Sequence, residues 1–255
     1  MDFKGKVILV TGASRGIGAK IAEAFGALGG IVIVNYLRNR QAADEVVNTI
    51  RLTGGEAAAL QADVTDLASV ERMMAEIIDN FGTIDVVVNN ALSHYTFNPK
   101  TRKPAWDLQW KDYQTQLEGS LGGAFHVCKA AMPYMKAQHE GRIINMVSNL
   151  TDFPVVPYHD YTTAKTALLG FSRNLAAELG AFGITVNCVS PGLTYPTDSS
   201  RDTKEDVRDI LTRLTPMGRL ASPKDITGAV LFFASDLAGF VTGQCLRVDG
   251  GLVMV

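Results

Sequence analysis

Seven short runs of apolar, largely β-branched residues recur along this chain, with longer amphipathic stretches between them. They are "KVILVT" (6–11), "GIVIVNY" (30–36), "AAALQAD" (57–63), "IDVVVNN" (84–90), "RIINMVS" (142–148), "ITVNCVS" (184–190) and "QCLRVD" (244–249). Most are apolar throughout rather than alternating, which is the pattern of parallel strands covered on both faces. Helical periodicity lies between them, over 17–28, 40–53, 66–81, 107–137, 158–180 and 222–235. Alternation repeated this often predicts an α/β fold: a doubly wound parallel sheet of about seven strands, helices on both faces, right-handed crossovers between. No linker, internal repeat or low-complexity segment interrupts it, so residues 1–255 read as one domain.

Two stretches break the rhythm. "LSHYTFNPKTRKPAW" (92–106) follows the fourth strand and "PGLTYPTDSSRDT" (191–203) follows the sixth. Both leave strand C-termini, the edge at which open α/β sheets bind ligands. Connections of this length in a compact domain usually carry function.

Charge excludes one class of partner. Lys and Arg total 24 against 26 Asp and Glu, a net charge of -2, so no basic field is available to recruit nucleic acid. The opening "MDFKGKVILV" has an apolar run too short for a signal peptide or a membrane span. Cys128, Cys188 and Cys245 are far apart and show no C-x-x-C, as expected of reduced thiols in a cytoplasmic protein without a metal site.

"TGASRGIG" (11–18) directly follows the first strand and opens the first helix. Gly12, Gly16 and Gly18 would permit a tight turn, with a pyrophosphate seated at the positive end of the helix. This is the arrangement of a Rossmann-type dinucleotide site. At the end of the second strand, where an acid would hold the ribose of NAD, the chain reads "VNYLRNR" and has no carboxylate before Asp44. With Arg15, Arg38 and Arg40 close by in the pattern, the missing acid favours NADP(H) over NAD.

The stretch "PYHDYTTAK" (157–165) gathers two tyrosines, a histidine, an aspartate and a lysine. On a helix, Tyr158, Tyr161 and Lys165 share one face, so helical spacing alone does not choose between the tyrosines. A wider set of motifs does. In order, "TGASRGIG", "ADV" (62–64), "NNA" (89–91), Ser148, "YTTAK" (161–165), "SPG" (190–192) and "VTGQCLRVDGG" resemble the short-chain dehydrogenases/reductases over nearly the whole length. Within that family the chain looks most like members described as 3-oxoacyl-(acyl-carrier-protein) reductases.

The resemblance implies a serine 13 residues before the active tyrosine and a lysine four after it, which selects Ser148, Tyr161 and Lys165. Reduction of a ketone needs a proton at oxygen as hydride reaches carbon. Tyr161 is the expected general acid, Lys165 is expected to lower its pKa and hold the nicotinamide ribose, and Ser148 is expected to polarise the carbonyl. The same resemblance implies cofactor contacts from Gly12, Ser14, Arg15, Gly16, Ile17, Gly18, Tyr36, Arg38, Asp63, Val64, Asn90, Ala91, Tyr161, Lys165, Pro191, Gly192 and Thr194. Tyr158 is expected to be a packing or pocket-wall residue, with His159 and Asp160 on other faces of the first turn.

Two positions depart from the family. Ser120 stands where many members carry an asparagine that holds a relay water, and Gln116 is an alternative for that task. Leu92 replaces a glycine and does not readily adopt positive φ, so the turn there should be rebuilt. Lys100, Arg102 and Lys103 could meet the phosphates of a carrier or coenzyme A, or simply solubilise their loop. The leading expectation is an NADPH-dependent carbonyl reductase taking a small carbonyl or acyl-thioester substrate, in a homo-oligomer (tetramer or dimer). A sensor that binds NADP(H) without turnover and an NAD-dependent alcohol dehydrogenase are the alternatives.

Overall fold

Alternate residues of the central strands enter different cores, which is why those strands read as continuously apolar. A computed structural model of the chain describes residues 1–92, 95, 97 and 102–254. Its strands are β1 (Val7–Val10), β2 (Ile31–Tyr36), β3 (Glu56–Gln61), β4 (Val86–Asn89), β5 (Gly141–Met146), β6 (Ile184–Pro191) and β7 (Cys245–Val248). They form one sheet in the order β3-β2-β1-β4-β5-β6-β7, with every pairing parallel. The helices are α1 (Gly16–Ala27), α2 (Arg40–Leu52), α3 (Leu67–Phe81), α4 (Trp110–Leu117), α5 (Gly123–Gln138), α6 (His159–Leu179), α7 (Glu205–Leu214) and α8 (Pro223–Ala234).

Ile8, Val10, Val32, Val34, Val88 and Ile144 pack with residues of α1, α2 and α8 such as Ile21, Phe25, Ile50 and Phe233. Their neighbours Val7, Leu9, Ile33, Val87 and Ile143 pack on the opposite face with Met73, Ile77, Val127, Met135 and Leu179 from α3, α5 and α6. Burial on two faces removes the alternation that a half-exposed strand would show.

One row of polar side chains crosses the apolar sheet. Asn89 of β4 lies directly opposite Asn145 of β5, and its amide donates to Asn145 Oδ1 at 2.8 Å. The Asn145 amide donates in turn to Ser172 Oγ of α6 at 2.8 Å, and Ser172 Oγ donates to the Leu168 carbonyl at 2.7 Å. Such groups are tolerated in a core because they are mutually hydrogen-bonded.

The structure corrects the expected helices in two places. The helix expected over 107–137 starts at Trp110, where Asp112 Oδ2 accepts the Gln109 backbone N–H at 2.9 Å in a reciprocal cap. It is also not one regular helix, because Glu118–Gly122 forms a π-turn between α4 and α5. Second, α7 was not anticipated, although its signals are present: Glu205 and Asp206 in the first turn, Arg213 in the last, and apolar residues at 207, 210, 211 and 214. Among the described residues no helix is long and apolar enough to cross a membrane.

Candidate active site

The strand order reverses between β1 and β4, and the candidate residues gather at the C-terminal edge beside that point, where open sheets form a crevice. On the β1 side the glycine turn is braced by side chains. Asn90 Nδ2 donates to the carbonyls of Thr11 (2.9 Å) and Gly12 (3.2 Å), while the backbone N–H groups of Asn90 and Ala91 both donate to Thr11 Oγ1 at 3.0 Å. The Gly12 N–H donates to Asn35 Oδ1 at 3.1 Å.

A side chain would not fit this brace. Gly12 has φ +61°, and a Cβ there would lie 2.9 Å from Ala91 Cα; a Cβ at Gly18 would strike the Asn90 amide nitrogen. Gly16 begins α1 at φ +58°, and its preceding Arg15 supplies no side-chain cap. With no acidic residue in that first turn, the free N–H groups at the positive helix end suit a pyrophosphate. Ser14 and Ile17 lie within the same turn. Thr11 and Asn35 were not singled out from sequence; the signal available for Asn35 was a lone amide inside "IVIVNY".

At the end of β2, Tyr36 is buried and no carboxylate follows it before Asp44. The three nearby arginines differ in their engagements. Arg40 Nε pairs with Asp44 at 3.3 Å, while Arg15 Nη1 pairs with Asp198 at 2.7 Å. Arg38 is exposed with no hydrogen-bond or ion-pair partner among the described residues. Asp63 Oδ1 accepts from the N–H and hydroxyl of Thr65, at 2.9 and 2.7 Å, and the Val64 carbonyl meets His126 Nδ1 at 3.0 Å.

Ser148 follows β5 and caps a single turn over Asn149–Thr151, its Oγ accepting the Leu150 N–H at 3.3 Å. Tyr161 and Lys165 enter from the first turns of α6, and Ser148 lies close enough to the Tyr161 hydroxyl to bear on its pKa. Lys165 Nζ donates to the Met146 carbonyl at 2.8 Å and stands 5.8 Å from the centre of the Tyr161 ring. The three residues are therefore brought together.

The expected electrostatics need correction. Burial pushes the Tyr161 hydroxyl up to about 12, opposed by Ser148, and burial pushes the Lys165 ammonium down to about 8. Lys165 was expected to lower the tyrosine's pKa. In the structure desolvation dominates both groups, and the ammonium is directed at a backbone carbonyl.

Ser120 sits in the π-turn, buried, its Oγ without a hydrogen-bond partner among the described residues. It lines a small cavity together with Thr11, Asn89 and Lys165. Gln116 is also buried with an unpaired Oε1, but it is absent from that cavity lining.

Around Tyr161 the two long loops meet. The Tyr95 ring stacks on the Tyr161 ring, with centres 4.9 Å apart and planes 26° apart, and Phe97 meets it edge-on at 5.0 Å. Tyr158 closes the group, its ring 5.9 Å from that of Tyr95 and 5.3 Å from that of Phe97. The Phe97 N–H donates to the Ser199 carbonyl at 3.2 Å. Arg102 Nη1 donates to the Pro157 carbonyl at 3.2 Å, and Lys103 Nζ holds both oxygens of Asp112 at 2.8 and 2.9 Å. Lys100 lies outside the described residues. His139 is the one non-glycine residue at positive φ among those described, so Leu92 does not adopt the glycine-like turn it replaces.

Gly192, after Pro191 at the end of β6, packs so closely that a Cβ would lie 2.8 Å from Asp249 Cβ, and Thr194 Oγ1 donates to the Gly192 carbonyl at 3.2 Å. Asp249 itself was missed from sequence. Its Oδ2 accepts from the Asn149 amide at 3.2 Å, next to Ser148, and its carboxylate also takes the N–H groups of Gly251 and Val253. Arg247 pairs with Asp152 at 2.8 Å and holds the other end of the same turn.

A family model described as enoyl-(acyl carrier protein) reductase matches residues 12–253. The 3-oxoacyl-[acyl-carrier-protein] reductase FabG of Escherichia coli is 38% identical over 256 residues, covering 100% of both chains. The 3beta-hydroxysteroid dehydrogenase 1 of Eggerthella lenta is 35% identical, over 99% of this chain and 95% of that protein. A crystal structure of a candidate gluconate dehydrogenase from Agrobacterium tumefaciens superposes with a TM-score of 0.92 at 28% identity, covering 100% of this chain and 98% of that one.

Proposed function

Since the chain belongs to the short-chain dehydrogenase/reductase family, whose members act on CH–OH and C=O groups, we propose that it is an NADPH-dependent carbonyl reductase with Tyr161 as its general acid. The observation that carries this reading is the convergence of Ser148, Tyr161 and Lys165 beside the glycine turn. A bound nicotinamide cofactor supplies the hydride. The chain's own residues orient the carbonyl and supply the proton.

Ser148 presents a hydroxyl to the carbonyl oxygen and polarises it. Tyr161, whose burial keeps it a neutral phenol well above pH 7, donates the proton to that oxygen. The Lys165 ammonium then stabilises the tyrosinate as it forms. Ser120, with its unpaired hydroxyl in the cavity shared with Lys165, is suited to hold a water that returns the proton through the lysine.

The missing acid after β2 and the uncommitted Arg38 support NADPH over NADH. The names of relatives such as the E. coli reductase support a 3-oxoacyl thioester as substrate. Exposed Trp110, Phe125 and Tyr134 on α4 and α5 support a homo-oligomer contact on that face. The test is NADPH consumption with an acetoacetyl thioester, run beside Tyr161→Phe. Turnover lost in the variant, with NADPH still bound, supports the reading; equal turnover in both proteins refutes Tyr161 as the acid.

A further inference from the structure

We propose that Tyr95 and Phe97 determine substrate specificity, fitting the site to a ketone whose carbonyl is borne on a flat ring system rather than on an open chain. The inference rests on the carbonyl-reductase reading above and departs from the open-chain thioester that the relatives' names support.

The ring of Tyr161 is flanked by aromatic rings. Tyr95 offers a ring face nearly parallel to that of Tyr161, and Phe97 offers an edge at 78° to it. Parallel faces with a perpendicular edge are the contacts that aromatic rings prefer, and an open methylene chain gains no such directional contact. With Tyr158 completing the group, Tyr161 is 6% exposed, so the carbonyl must approach within this aromatic frame.

The frame is held from both sides. The Phe97 N–H is bonded to the Ser199 carbonyl in the 191–203 loop, and Arg102 is bonded to the Pro157 carbonyl just before α6. These bonds also bear on the alternative. A carrier-linked acyl chain brings phosphate and amide groups that need partners. The two described cations of this loop are engaged, Arg102 by a backbone carbonyl and Lys103 by both oxygens of Asp112.

The chemistry is the reduction already assigned. The ring carbonyl carbon gains a hydride from the reduced nicotinamide, which is oxidised, and the oxygen gains a proton from Tyr161, leaving a secondary alcohol.

The experiment compares kcat/KM for 2-tetralone and 2-decanone, ketones of equal carbon count, with saturating NADPH in the intact protein. The expected ratio favours 2-tetralone by about tenfold or more, a discrimination that pocket contacts can supply. Tyr95→Ala and Phe97→Ala should each lower the ratio severalfold, while Tyr95→Phe, which keeps the ring, should retain it. A ratio near one in the unaltered protein, or a ratio unmoved by Tyr95→Ala in a variant that still reduces either ketone, overturns the proposal. Failure to reduce these ketones or the acetoacetyl thioester overturns the underlying reductase reading as well. Reduction of the thioester alone overturns only the ring preference.

Discussion

The ammonium of Lys165 donates to the carbonyl of Met146 at 2.8 Å, so the lysine of α6 hangs from the final residue of β5, the strand that leads into Ser148. One hydrogen bond thereby ties together the two elements that carry the proposed catalytic group. It also holds a charge in a site where burial disfavours charge, and this makes the lysine measurable by titration.

Stability should carry its signature. Lys165 titrates near 8 in the folded protein and near its ordinary 10.5 when unfolded. Between those values the unfolded chain binds more protons, so this group's contribution rises with pH, by about 1.4 kcal/mol per unit. Below pH 8 the contribution is flat. Urea unfolding of the unaltered protein and of Lys165→Met across pH 7–10 should give a difference that grows above pH 8; a constant difference would refute the depressed pKa.

Activity should move the other way. If the ammonium stabilises the tyrosinate, kcat/KM falls above about pH 8 as Lys165 loses its proton. Tyr161→Phe should lose about 10² to 10⁴-fold in kcat, the range typical of a general acid, with NADPH affinity largely kept. Loss of both together, measured by fluorescence titration of NADPH, would point to collapse of the site instead.

Cofactor choice should depend on Arg38. A charge-assisted contact to the extra phosphate is typically worth 1.5–3 kcal/mol, so Arg38→Ala should weaken NADPH binding about 10- to 100-fold. NADH affinity should stay within about twofold, since that cofactor lacks the phosphate. Equal weakening of both cofactors would remove Arg38 from the phosphate site.

Asp249 should act at a distance through Asn149. Asp249→Asn deprives the turn behind Ser148 of part of its acceptor set, at a cost of about 1–3 kcal/mol for a buried unsatisfied group. We expect a Tm lower by roughly 2–10 °C and kcat reduced about tenfold, with KM for the ketone changed less. A lower Tm with unchanged kcat would make the contact purely structural.

Much of the architecture is legible in the sequence because both faces of the central strands are buried, which writes continuous apolar runs. The grouping of Ser148 with Tyr161 and Lys165 is legible through the family resemblance, since helical spacing alone leaves Tyr158 and Tyr161 on one face. What escapes the eye lies between distant segments. Asn149 and Asp249 are 100 residues apart, and the stacking of Tyr95 on Tyr161 depends on how two loops meet. The direction of the Tyr161 shift was misjudged because spacing identifies a neighbouring charge but not the depth of burial. Helix α7 was overlooked despite a readable pattern.

The Asn89–Asn145 pair has a consequence for how the chain finds its fold. The consecutive valines of β4 and isoleucines of β5 look nearly the same after a one-residue slip, so hydrophobic pattern alone tells the two strands little about alignment. A slipped sheet would bury each amide against hydrocarbon, whereas the native one lets each find the other. The two asparagines thus work as a checksum: they reject misaligned sheets that hydrophobic burial would accept.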